Sequence, residues 1–427
     1  MRYLLYLTLL TSTASADRLT LNDAVQLALG KNPAVAHARE GITSSTAKLD
    51  NLRAKRLPKL DFIFNGDFYR QPYDLSFGGG LFRLHEQATS FTTVQIMEPL
   101  TGFAYITELT RAAEHDESAA KYELDRTRLD VASTTADMYM HVLQARANAE
   151  VAHRSVTDIA SGLARAEQLR AADTYTDIDV LRFKSAKAAA EQLALRADTT
   201  RDSALATFVV QLGLPDGTPV EIVDDLPENP PALAITLETA QSRAVKARPE
   251  LAVAREKLAV AESQHKTAYA PYFPDVRAVG EWHHSTGVQP FQPEDEELLG
   301  LRITWNLWDW GATRNAVREA EAARTRARIE VDAELERVKL DVRKKWLEAK
   351  ASFDSLPSAA TQLQAAEEAY RLQQVRFEAG ASTTTDVLDA ETDVARARLT
   401  ASVARYEYFM SMIALARSIG DLPRGSL

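Results

Sequence analysis

The stretch GASTTTDVLDAE, Gly380 to Glu391, holds the residues of this 427-residue chain with the widest scope for chemistry. Asp386 and Asp389 are three apart, a spacing that puts both carboxylates on one helix face. Acids held close together repel, raise one another's pKa and attract cations. The same run also reads as the start of a helix. Gly380 suits the left-handed end of a preceding helix, Thr383 and Asp386 have capping-box spacing, and the helix dipole favours acids in the first turn. Capping accounts for Asp386 and leaves Asp389, a turn deeper, unexplained. An earlier stretch, RAADTYTDIDVLRFKSA (Arg170 to Ala186), aligns with it. There Asp179 stands in the place of Asp386 and Arg182 in the place of Asp389, an acid and a base that can pair along one face.

Other chemistry finds little footing. There is no Walker A run, no GxSxG elbow and no HExxH. Gly78-Gly79-Gly80 is followed by Leu-Phe rather than Lys-Ser or Lys-Thr, which makes it a flexible hairpin loop. His283 and His284 are adjacent, so on a strand they point opposite ways and cannot chelate together. Met138 with Met140 and Met410 with Met412 are two apart on helices, off a common face, and read as core packing. The chain has no cysteine, which removes disulfides and thiolate metal sites. Its net charge of -10 argues against nucleic acid as a partner. No catalytic role and no cofactor are expected.

The elements that would carry the acids come in two copies. The chain opens like an export signal: Arg2, an apolar run Leu4 to Leu10, and a small-residue site Ala14-Ser15-Ala16 that sets residues 1–16 apart. Beyond it, KNPAVAHARE is echoed by ARPELAVARE, Pro58 by Pro274, Leu100 by Leu307, Tyr139 by Trp346, Asp179-Val180-Leu181 by Asp386-Val387-Leu388, and Gly213 by Gly420. A repeat of about 210 residues is too long for a solenoid unit and marks a duplicated domain. The first copy is expected over 17–223 and the second over 234–427, joined by a proline-rich linker at 224–233.

Each copy has the same order: a helix after Pro33 or Pro249, a two-strand hairpin (60–100 or 276–308), a very long helix, and a return helix. The long helices are expected over about 103–171 and 311–379, on the order of 100 Å at 1.5 Å per residue. Val331, Leu335, Val338 and Val342 form a coiled-coil-like stripe, as do Val403, Tyr406, Met410 and Ile413. Pro357 is expected to kink or break the second long helix. In the strands Leu60, Phe62, Phe64 and Phe68 share one face, and Leu299, Leu301, Ile303, Trp305 and Leu307 another, each alternating with polar or small residues. Thr92 to Ile96 is the weakest of the four strands. Strands of about 9 to 11 residues with aromatics such as Trp308 and Trp310 past their ends suit a membrane barrel. Four strands cannot close a barrel in lipid, so two, three or four chains sharing about 8, 12 or 16 strands are implied. The competing fold is a soluble coiled-coil scaffold or adaptor whose hairpins pack on themselves.

The twin LTL…A…NP…A and ITL…A…RP…A openings, the hairpins ending in PL or NL before a long helix, and GASTTTDVLDAETDVARARL together resemble the TolC-like outer-membrane efflux channels. The resemblance covers nearly the whole chain beyond residue 16, in both copies and in order. It implies a mainly α fold with a small β part: a homotrimer in the outer membrane, with twelve strands in a shared barrel and twelve helical columns in a periplasmic tunnel. It implies an exit duct that docks with a periplasmic adaptor and an inner-membrane transporter in a tripartite pump or type I secretion system. The second-copy turn would be the tip that closes the tunnel, with Asp386 and Asp389 as an acidic ring. Gly380, Thr383 and Thr384, with Asp179, Leu181 and Arg182 of the first-copy turn, would meet the adaptor. Some family members lock the tip with an arginine and a tyrosine. The matching positions here are Ser382 and Phe377, whose side chains cannot make those bonds in the same way.

Overall fold

The computed structural model describes residues 17–288 and 293–422, so the expected export signal at 1–16 lies outside the described residues. The chain forms β1 (Asp17–Leu19), α1 (Leu21–Lys31), α2 (Pro33–Ala54), β2 (Lys59–Phe68), β3 (Tyr73–Phe77), β4 (Gly80–Pro99), α3 (Phe103–Ala171) and α4 (Asp177–Gln211). It continues with β5 (Val220–Ile222), α5 (Leu237–Ala247), α6 (Pro249–Thr267), β6 (Asp275–Val288), β7 (Asp295–Thr304), α7 (Ala312–Glu378) and α8 (Thr384–Ile419). The two halves repeat one order of helices, strands, long helix and return helix. Among the described residues no helix is long and apolar enough to cross a membrane.

Contacts divide the chain into two units, each drawing on both sequence copies. One comprises Arg39–Glu123 and Glu250–Glu334, and the other Met1–Ala38, Leu124–Pro249 and Leu335–Leu427.

The first of these units holds an antiparallel sheet in the order β2-β4-β6-β7. β4 is 20 residues long; β2 pairs with its Ala88–Met97 half and β3 with Gly80–His85. β2 and β3 therefore make one interrupted stave, and the sheet has four. The register decides what each face carries. Leu60 lies beside Ile96, Ile96 beside Gly280, and Gly280 beside Leu299, so one apolar face crosses all four staves. That face is bare: Phe62 is 70 % and Leu299 89 % exposed. A soluble scaffold would bury it, because an apolar patch of this size on a strand surface demands a covering layer. The opposite face is polar. Gln95 hydrogen-bonds Glu281, Arg302 Nη2 reaches Glu281 at 3.3 Å, and Thr93 Oγ1 meets His283 Nδ1 at 2.7 Å.

Two strand expectations need correction. The expected weak strand at Thr92–Ile96 is part of the longest one, and β7 spans 295–304 rather than 299–308. The chain leaves the sheet early because Asp309 starts a helix, accepting from Gly311 N at 2.9 Å and Thr313 N at 2.8 Å. Of the kink or break expected at Pro357, the break does not occur: the residue sits inside a continuous α7. Packing on both sides, Phe353 against Tyr408 at 5.3 Å and the buried Ala359, holds the helix across the missing bond.

In the other unit the duplication is visible as paired brackets. Asn32, before Pro33, donates Nδ2 to the Gln211 carbonyl at 3.0 Å; Arg248, before Pro249, donates Nη1 to the Ser418 carbonyl at 3.0 Å. The Tyr139 hydroxyl bonds the Leu19 carbonyl at 3.1 Å, and its counterpart Trp346 bonds the Ile235 carbonyl at 2.9 Å. Gly213 and Gly420 end α4 and α8 at φ 74° and 92°. A Cβ on Gly213 would fall 2.6 Å from the Lys31 carbonyl oxygen, so the bend before Pro33 and the glycine fit only each other. The parallel pair β1·β5 closes this bracket in the first copy.

Candidate functional site

Two helical turns meet in this second unit: the α3–α4 turn of the first copy and the α7–α8 turn of the second. They are built alike. At the end of α7, Gly380 N bonds the Phe377 carbonyl at 3.0 Å and Ala381 N the Arg376 carbonyl at 2.8 Å, a Schellman end with Gly380 at φ 68°. At the end of α3, Asp173 N bonds Arg170 and Thr174 N bonds Leu169, with Asp173 at φ 56°. Both return helices start with a capping box, Thr176–Asp179 and Thr383–Asp386.

The capping box uses one oxygen of each aspartate. Asp386 Oδ2 accepts from Thr383 N at 2.9 Å and Thr383 Oγ1 at 2.8 Å, and these bonds hold its pKa below the ordinary range. Asp179 Oδ2 accepts from Thr176 Oγ1 at 2.7 Å and Thr176 N at 3.0 Å, and the hydroxyl bond above all lowers its pKa too. Both acids are charged at neutral pH. Asp389 is exposed, and its carboxylate forms no hydrogen bond or ion pair among the described residues.

Side-chain hydrogen bonds tie the turns to each other. The Tyr175 hydroxyl donates to the Ser382 carbonyl at 2.6 Å. Thr384 Oγ1 donates to Asp179 Oδ1 at 2.9 Å, and Arg182 Nη1 to Thr385 Oγ1 at 2.8 Å. Beneath them the Tyr175 and Phe183 rings pack on Phe377, with centroids at 4.8 and 5.7 Å. Burial raises the Tyr175 pKa, with the Asp179 charge adding to it, so its hydroxyl remains a donor.

Several expected site residues stand differently in this arrangement. Phe377 is 2 % exposed, a core ring rather than part of an aperture. Thr384 is fully buried and its hydroxyl is spent on Asp179, so it joins the two turns and is not a surface for an adaptor. Asp179 and Arg182 do not pair along α4, because each reaches across to a threonine of the other turn. Ser382 is buried, with Oγ donating to Gln373 at 2.9 Å, and it receives the latch through its backbone carbonyl. Gly380, Thr383, Leu181 and Arg182 are exposed. Tyr175 was missed. Its only sequence signal is an aromatic residue among small and polar ones in RAADTYTD, and its partner lies 207 residues away.

Among the described residues no group of acids and histidines could hold a metal ion.

Comparison with known proteins agrees with this architecture. The model of the family described as "Outer membrane efflux protein" matches the chain twice, over residues 24–214 and 240–421. The proteases secretion protein PrtF of Dickeya chrysanthemi is 21 % identical over 429 residues, covering 98 % of this chain and 92 % of PrtF. Among solved structures, the CmeC outer membrane channel of Campylobacter jejuni has a TM-score of 0.81 at 16 % identity, covering 95 % of this chain and 87 % of CmeC. The outer membrane protein VceC of Vibrio cholerae has a TM-score of 0.79 at 18 % identity, covering 94 % and 96 %. With both sequence copies matched and the fold shared almost end to end, the chain belongs to the outer membrane efflux protein family.

Proposed function

We propose that the chain is one protomer of a trimeric outer-membrane exit duct, gated where the α3–α4 and α7–α8 turns meet. The observation that carries this reading is the four-stave sheet with one bare apolar face and two free edges, the β2–β3 stave and β7. Lipid tolerates the face but not the edges, whose unpaired backbone groups would each cost several kcal/mol there. Three copies supply twelve staves and no edge. A helix face points the same way: Leu340 and Leu347, seven apart on α7, are exposed while Val338 and Val342 are buried, which leaves a second stripe for a neighbouring helix.

The export signal delivers the chain to the outer membrane, with the helices in the periplasm. A periplasmic adaptor meets the exposed turn residues Gly380, Thr383, Leu181 and Arg182, with the half-buried Asp179 beside them, and an inner-membrane transporter supplies the energy. The pump or secretion system moves the cargo and the duct does no chemistry. At the tip, Asp386 and Asp389 of three copies form an acidic ring that admits cations. Asp386 has one oxygen committed to its cap, so Asp389 carries most of the selectivity. The test is ion selectivity in planar bilayers. Asp389→Asn should reduce cation preference more than Asp386→Asn, and Asp386→Asn should also cost about 1 kcal/mol of helix capping. If the double variant keeps wild-type selectivity and divalent block, the acidic ring is wrong. If the purified protein is monomeric in detergent and lipid, the duct is wrong.

A further inference from the structure

Glu391 ends the run GASTTTDVLDAE, but unlike Asp386 and Asp389 it is turned inward. It is 4 % exposed, held between α3, α7 and α8. Its one hydrogen bond among the described residues comes from Ser155 Oγ, which donates to Oε1 at 2.5 Å. A carboxylate offers about four acceptor sites, so most of this one's capacity is unmet. Neither cation near the site pairs with it: Arg398 pairs with Asp158 at 2.9 Å and Glu367 at 3.3 Å, and Arg165, which lines the same cavity, donates to Gln168 at 3.2 Å.

The charged and titratable groups around the site are Asp158 and Arg165 on α3, Glu367, Tyr370 and Glu378 on α7, and Arg398 on α8; α4 presents only the Phe183 ring. Beside Glu391 lies a cavity of about 130 Å³, lined also by Gln374, with room for a few waters. Asp158 and Glu367 thus share one guanidinium, and Glu391 has no ion pair among the described residues. An ionised Glu391 would be a buried charge without a partner, next to the Asp158 carboxylate. A protonated Glu391 is a neutral group that fits the cavity and can donate a hydrogen bond into it. Burial raises its pKa, and the Asp158 charge pushes the same way against Ser155 and Arg398.

We propose that Glu391 is a proton-operated hold on the tip: protonated, it seats α8 against α3, and ionised, it drives α8 from Asp158 and frees the α7–α8 turn. This deepens the gating reading above and rests on it. The sign follows from which state buries the acid. The packed state holds Glu391 above the ordinary carboxylate range, so its hold is complete at low pH and is lost as pH rises through the raised value. A one-unit difference between the packed and released sites shifts the equilibrium about tenfold per protomer.

The full-length protein in planar bilayers, followed from pH 5 to 8, provides the test. Wild type should open more often as pH rises. Glu391→Gln keeps the shape and the Ser155 bond without the charge, and should stay at the low-pH open probability throughout. Ser155→Ala removes a donor that favours the ionised form and should move the midpoint to higher pH, which tests the site even if Glu391→Gln fails to assemble. The inference is overturned if Glu391→Gln follows the wild-type profile, if wild type has no pH response, or if Ser155→Ala leaves the midpoint in place. A trimer that conducts no ions at any pH refutes the duct itself; a conducting trimer with any of those three results refutes only the proton hold.

Discussion

Replacing Tyr175 by phenylalanine isolates the latch between the two turns. The ring remains, and with it the contact with Phe377 at 4.8 Å; only the hydroxyl that donates to the Ser382 carbonyl at 2.6 Å is lost. A hydrogen bond of this kind contributes about 0.5–1.5 kcal/mol net. At about 1 kcal/mol the latched-to-released ratio in one protomer falls roughly fivefold. Three protomers releasing together lose about 3 kcal/mol, or roughly 150-fold. Open probability in planar bilayers reads this directly. The control is Tyr408→Phe, which removes an equivalent bond to the Pro231 carbonyl, also 2.6 Å, some 24 residues along α8 from the turn. Both variants should lose similar thermal stability, but only Tyr175→Phe should open the channel. Equal open probability in Tyr175→Phe and wild type would refute the latch. Equal opening in both variants would mean that general loosening, not the latch, sets the gate.

Other perturbations probe the sheet and the brackets. Leu301→Arg puts a charge on the bare apolar face and should cost about 2–4 kcal/mol near mid-bilayer, seen as less folded trimer in the outer membrane. Its neighbour Arg302→Leu, on the polar face, should assemble normally; equal assembly of the two variants would contradict the assignment of faces. Gly213→Ala should lower the thermal midpoint more than Gly217→Ala. Both sites have positive φ, at 74° and 78°, and share a backbone cost of about 1–2 kcal/mol. Only Gly213 would also drive a Cβ into the Lys31 carbonyl, whereas a Cβ on Gly217 would meet nothing within 4 Å.

Features with a local signal were legible in the sequence. The alternation Leu60, Phe62, Phe64 located β2 and its bare apolar face, the Thr383–Asp386 spacing located the start of α8, and the two copies revealed the duplication. What escaped was contact between residues far apart in the chain. Tyr175 to Ser382, Arg182 to Thr385 and Thr384 to Asp179 each span more than 200 positions, and no periodicity within a helix announces them. The same limit hid the burial of Thr384 and Phe377, which depends on the other turn being there. Glu391 carried no signal of its own: it stands two residues beyond Asp389, and α8 turns the two to different faces. The end of β7 was misplaced because apolar alternation runs on to Leu307, while the Asp309 cap pulls the chain out of the sheet first.

The divergence of the copies at the turns has a direct physical consequence. Duplication supplies two return helices of 35 and 36 residues, each begun by a threonine–aspartate box, so the turns match in geometry. Identical turns would offer identical side chains to each other, and two aspartates or two arginines facing across a gap repel. Here the chemistry is divided. The first-copy turn contributes a phenol, a carboxylate and a guanidinium; the second contributes a carbonyl and two threonine hydroxyls, which can serve as acceptor or donor as each partner requires. Arg182 uses its charge inside this contact, and Asp389, at the matching position of the second copy, is left with none. One aligned position therefore separates the two jobs: in the first copy it helps hold the turns together, and in the second it leaves a bare carboxylate for whatever approaches the tip.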